Sequence, residues 1–101
     1  MSTEKSVQFN VREFTRITGM STEVLVEIVK EGIVEPGGES PENWRFDTHM
    51  LCVVKKASRL HDDLDIDWNG IALVLELLDR MQTLHMENES LRQRLGRFLQ
   101  D

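Results

Sequence analysis

In the C-terminal third of the chain, apolar residues recur in alternating steps of three and four. The series is Val74, Leu77, Met81, Leu84, Leu91, Leu95 and Phe98, with Asn88 taking one step. This is an a/d seam sustained over about three and a half heptads, the period of a helix that packs along its length. Asn88 sits at an a position, where a buried amide lowers stability and restricts register because it needs a polar group opposite. No proline interrupts Trp68 to Leu99, and Asp67 is placed to cap the run. The sequence therefore predicts one helix of thirty-two residues, about 48 Å long at 1.5 Å per residue. The remainder of a 101-residue chain is too small to cover such a helix on all sides. Two readings stand: an amphipathic helix folded back on its own domain, or a seam closed by a second copy. The length favours the homodimer. The proximal residues Ile71, Ala72, Leu73, Leu75 and Leu78 are apolar beyond the a/d stripe, so this part is expected to pack on the head as well.

Punctuation divides the preceding residues into short elements. Val7 and Phe9 alternate within Ser6–Phe9, as in a short edge strand. Asn10 stands three residues before Glu13, a capping-box spacing, and opens a helix over Val11–Thr18 with Val11, Phe14 and Ile17 as its inward stripe. Gly19 ends it, since glycine accepts the left-handed conformation. Ser21 caps a second helix from Thr22 to about Glu31, with Glu23 at the positive end of its dipole. Leu25, Ile28 and Val29 face inward by the i, i+3, i+4 rule, and Gly32 stops the helix. Two short helices across a glycine-containing turn make a helix-turn-helix. Ile33 to Phe46 holds both prolines and two of the six glycines, and reads as a two-stranded wing or a loose loop. Asp47 caps a third helix to about Asp62, with Met50 or Leu51, Val54, Ala57 and Leu60 on its core face, and a hinge follows over Asp62–Asp67. The expected class is mainly α: a head over residues 6–66 and a long helix over 67–101.

The residue inventory offers little for catalysis. Cys52 is the one cysteine, which excludes an internal disulfide and a cysteine-based metal site and makes a reducing, cytoplasmic location the default. Flanked by Met50, Leu51, Val53 and Val54, it is expected to be a buried small hydrophobe. Met1–Lys5 is polar and lacks the apolar core of a signal peptide. No apolar run approaches the roughly 18 residues of a membrane span. His49, His61 and His85 are not at metal-ligand spacings, and read as ordinary surface or boundary histidines. The cluster Asp62, Asp63, Asp65 and Asp67 lacks the glycine and the terminal glutamate of a calcium loop, so it reads as a solvated hinge with a helix cap. Glycine-rich phosphate motifs are missing. A non-enzymatic protein with no catalytic residue, metal site or cofactor is expected.

The charge pattern bears on the partner. A helix-turn-helix that reads DNA presents Arg, Lys or Asn from its second helix and basic residues from its wing. Between Met20 and Asp47 this chain carries seven acids, Glu23, Glu27, Glu31, Glu35, Glu39, Glu42 and Asp47, against Lys30 and Arg45, a net charge of −5. The whole chain carries −6. Such a surface repels phosphate. It is either a solvated helix face or a docking surface for a basic protein. Under the second reading Glu23, Glu27 and Glu31 form a row at i, i+4, i+8, extended by Glu35 and Asp47. Val24, Val26 and Trp44 supply the apolar centre, tryptophan being enriched at binding hot spots. Packing of the wing onto the head is the competing role for Trp44 and Phe46.

The order of helix-turn-helix, wing, helix and long helix resembles the MerR type of winged helix. Gly32-Ile33-Val34-Glu35-Pro36 and Trp44-Arg45-Phe46-Asp47 are similar to its wing boundaries. More specifically, Leu64-Asp65-Ile66-Asp67-Trp68-Asn69-Gly70-Ile71-Ala72 and Glu87-Asn88-Glu89-Ser90-Leu91-Arg92-Gln93-Arg94-Leu95 resemble the CbpM family of bacterial chaperone modulators, and the resemblance runs from about Phe9 to Phe98. It implies a protein that binds the J-domain of CbpA, a DnaJ-like co-chaperone associated with the nucleoid, and inhibits both its work with DnaK and its DNA binding. It also implies a cytoplasmic protein, brought to the nucleoid by its partner. A J-domain presents basic residues on its second helix, which an acidic helix-turn-helix face would complement. The rivals are a MerR-type DNA-binding transcription regulator, which needs a basic reading surface, and an enzyme or small-molecule sensor, which needs a convergent polar pocket.

Overall fold

A computed structural model describes residues 7–100. The elements are β1 (Gln8–Phe9), α1 (Val11–Thr18), α2 (Thr22–Lys30), a 3₁₀ turn (Pro41–Asn43), β2 (Phe46–Asp47), α3 (Thr48–Leu64) and α4 (Trp68–Gln100). Ser6, the expected start of the first strand, and Asp101, the last residue of the expected long-helix unit, lie outside the described residues. The mainly α, MerR-like winged helix-turn-helix with a long C-terminal helix is the architecture observed.

Local chemistry sets most of the boundaries. The Asn10 side chain accepts from the Glu13 N–H at 2.8 Å, and Glu13 accepts from the Asn10 N–H at 2.9 Å, closing the capping box of α1. Gly19, at φ +76°, terminates it in the left-handed region. Ser21 accepts from the Val24 N–H and caps α2. Past α2, Gly32 adopts φ +78°, its N–H donating to the Val29 carbonyl while the Ile33 N–H donates to that of Ile28, a paired helix stop.

The ladder departs from expectation. β2 pairs antiparallel with β1, Phe9 opposite Phe46, and not with the Ile33–Val34 end of the wing. The wing itself is held by a single bridge between Gly37 and Arg45. Its chain is fixed instead by Val34 and Phe46, both buried in the head. Asp47 accepts from the Met50 N–H at 2.8 Å and caps α3, as expected.

The core gathers Phe14 of α1, Leu25 and Ile28 of α2, Val34, Phe46, and Val54 and Ala57 of α3 around the first turn of α4, which contributes Trp68 and Ile71. Phe14 and Phe46 stack with ring centroids 4.3 Å apart. Three expectations are corrected. Ile17 is 45% exposed, because the buried arc of α1 closes over Phe14, Val11 and Thr18 and leaves Ile17 on the far side. Cys52 is exposed, because the inward arc of α3 runs through Val54 and Ala57 and turns position 52 to solvent. In the proximal part of α4, Ile71 packs fully and Ala72 and Leu75 are half-buried, but Leu73 and Leu78 are exposed because the helix leaves the head after its second turn.

The exit is set at one corner. α3 runs to Leu64, so the hinge shortens to Asp65–Asp67. Asp65 takes φ +55°, a left-handed conformation that aspartate tolerates, and its N–H donates to the His61 carbonyl. Asp67 then accepts from the Gly70 N–H at 3.0 Å and starts α4. The principal extents are 60 × 42 × 21 Å.

Candidate partner-docking surface

Leu25 and Ile28, both fully buried, set the rotation of α2 and leave Glu23, Glu27 and Lys30 in solvent. Val24 and Val26 are half-buried at the edges of that face, Val24 packing against the core. Glu31 lies one residue past the helix as its C-cap. Its carboxylate accepts from the Asn69 amide of α4 at 3.2 Å. The row therefore divides: Glu23 and Glu27 point outward, while Glu31 reaches toward the base of α4. Glu35 is exposed just beyond the Gly32 stop.

Trp44 is half-buried and meets Phe46 edge to face, centroids 6.1 Å apart. Through Phe46 it is tied to Phe14 of α1. Asp47 is half-buried, and one carboxylate oxygen is engaged by the α3 cap. Glu42, in the 3₁₀ turn, has a carboxyl held below the usual range by its own backbone N–H and by the Ser40 hydroxyl. The head's other cations sit elsewhere, Arg12 and Arg16 on α1 and Lys55, Lys56 and Arg59 on α3.

Along α4, Val74 is half-buried, and Leu77, Met81, Leu84, Asn88, Leu91, Leu95 and Phe98 are exposed in the single chain. Exposure reaches 77% at Phe98, and so long an apolar stripe is uncommon on the surface of a monomer. The ion pair formed among the described residues is Arg80 with Glu76 at 3.1 Å, on the outside of the helix.

The sequence reading missed a cleft of about 820 Å³ between the start of α4, the Glu31–Ile33 turn and the outer face of α3. The apolar excess at Leu73 and Leu78, off the a/d stripe, is the signal that could have located it. Among the described residues no group of three or more His, Cys, Asp and Glu is placed to hold a metal ion. No helix there is long and apolar enough to cross a membrane.

Residues 9–93 match the MerR HTH family of regulatory proteins. Chaperone modulatory protein CbpM of Pseudomonas putida strain F1 is 46% identical over 100 residues, 99% of each chain. The chain belongs to the CbpM family. The CbpM protein of Pseudomonas entomophila strain L48 is 45% identical over 99% of each chain, and that of Escherichia coli O1:K1 is 47% identical over 93% of each. These matches cover residues of α4 as well as of the head. A role in modulating a chaperone follows from that membership.

Proposed function

We propose that this chain is a non-enzymatic, homodimeric regulator that docks on the J-domain of a DnaJ-like co-chaperone, CbpA, and inhibits its co-chaperone and DNA-binding activities. The observation that carries the reading is the charge of α2. The helix that would enter a DNA groove presents Glu23 and Glu27 where a reader needs Arg, Lys or Asn. A basic protein surface is the natural complement of that face. Glu31, Glu35 and Asp47 extend the acidity, and Val24, Val26 and Trp44 are the apolar anchors. Exposed charge pairs each contribute about 0.2–1 kcal/mol, so the acids act mainly on encounter rate and partner choice. Affinity then rests on the apolar anchors. The seam from Val74 to Phe98 joins two copies, which we place in the cytoplasm, at the nucleoid when the partner is there.

The test is surface-binding kinetics against an isolated J-domain. Glu27→Lys with Glu31→Lys should abolish inhibition and slow association while the dimer mass stays that of wild type. Raising salt should weaken wild-type binding chiefly through slower association. A double mutant that binds as fast and as tightly as wild type moves the docking surface elsewhere. The family match to MerR regulators favours one rival, a DNA-binding transcription regulator. High-affinity duplex binding at physiological salt would decide for it.

A further inference from the structure

The cleft beside α4 has a floor of Ile33, Val53, Ala72 and Leu75, all half-buried, so apolar surface is open there without being covered by the chain's own fold. Leu73 and Leu78 rise along the α4 edge, 57% and 39% exposed. Leu73 and Leu78 add nothing to the core of the head; they stand at g and e positions beside Val74 and Leu77 of the seam, on its cleft side. The α4 edge is also acidic, with Glu76 and Asp79, and Glu31 closes the end nearest α2. Of these three, only Glu76 is ion-paired, with Arg80, both largely exposed. Lys56 and His49 stand on the opposite, α3 edge. The cleft is therefore an apolar trough with one acidic wall.

We infer that this trough seats a basic amphipathic helix, and that it supplies a further apolar contact for the partner described above. The inference rests on that reading for the identity of the partner, but not for the chemistry of the site. A helix laid into a groove is anchored by residues at i, i+3, i+4 and i+7, which suits an open trough. Lys or Arg flanking that stripe on one side would meet Asp79, Glu76 and Glu31. Glu31 belongs both to the end of α2 and to the trough, so one bound helix spans the acidic α2 face and the apolar floor. The trough adds an apolar anchor on α3 and α4 to that of Val24, Val26 and Trp44, while Glu23 and Glu27 steer the approach.

The test uses the full chain, methyl-labelled for NMR and titrated with a synthetic Leu/Lys amphipathic peptide of about 18 residues, long enough to form a helix on binding. Shifts should concentrate on Ile33, Val53, Leu73, Leu75 and Leu78. Ala72→Trp, which fills the floor, should weaken the peptide roughly tenfold or more, and Asp79→Lys, on the exposed rim, about two- to tenfold. Neither position lies on the a/d seam, so helicity and assembly mass should match wild type. Should Ala72→Trp perturb folding, Asp79→Lys, at an exposed position, decides. Unchanged peptide affinity in both variants overturns the inference, as do shifts confined to Leu84–Phe98. Groove methyls that shift on dilution and not on peptide addition also overturn it, because a second copy's own tip around Arg92, Arg94 and Arg97 then fills the trough. A parallel titration with an isolated J-domain separates the two claims. Peptide binding without J-domain binding upholds the trough and removes the proposed partner. J-domain binding that survives both variants removes the trough and upholds the partner.

Discussion

The imidazole of His61 lies flat on the indole of Trp68, ring centroids 4.1 Å apart and planes within 14°. Its Nδ1 is 2.6 Å from the Ile66 carbonyl oxygen, and assigned as N–H it donates to that oxygen. One side chain therefore fastens the last turn of α3, the hinge and the first residue of α4. This contact lies at the corner where the long helix leaves the head.

Replacing His61 tests that corner. His61→Ala loses a hydrogen bond, about 0.5–1.5 kcal/mol, and a stacked aromatic pair of about the same size. A destabilisation of about 1–3 kcal/mol is expected in urea unfolding. His61→Phe should restore the stacking part alone.

Two glycines should respond in opposite directions. Gly38 has φ +94°, and a Cβ there would run into the Asn43 backbone. Gly38→Ala should lower stability by about 1–3 kcal/mol, through backbone strain in the wing. Gly96 lies inside α4 with nothing near its would-be Cβ. Gly96→Ala should raise helix stability by about 0.5–1 kcal/mol. Thermal melts of the two variants give the comparison.

The seam predicts assembly. Leu84→Asp or Leu91→Asp would bury an unpaired charge between two copies, a loss of about 3–5 kcal/mol. Light scattering should report a dimer for wild type and monomers or aggregates for either variant. A wild-type monomer at micromolar concentration would sink the dimer.

The charge of the α2 face predicts the outcome with nucleic acid. Mobility-shift titrations at physiological salt should show no appreciable duplex binding, since Glu23, Glu27 and Glu35 face outward where phosphates would lie. Submicromolar binding would contradict the docking model.

Helix boundaries were legible in the sequence because they depend on neighbours a few residues away. Asn10 with Glu13, Ser21, Asp47 and Asp67 each cap through contacts three residues along the chain, and Gly19 needs only its own φ. The a/d spacing from Val74 to Phe98 and the acidity of α2 are likewise properties of one helix. Four matters depend on where separate elements meet. Phe46 and Asp47 chose β1 as their partner, because burying Phe46 on Phe14 brings that segment beside Phe9. The buried arcs of α1 and α3 left Ile17 and Cys52 outside, since periodicity gives a stripe and not its exact rotation. Glu31 turned from the acidic row to Asn69, thirty-eight positions away. The cleft depends on the angle at which α4 departs from α3, beside the His61–Trp68 stack, and no spacing along the chain encodes an angle between two helices.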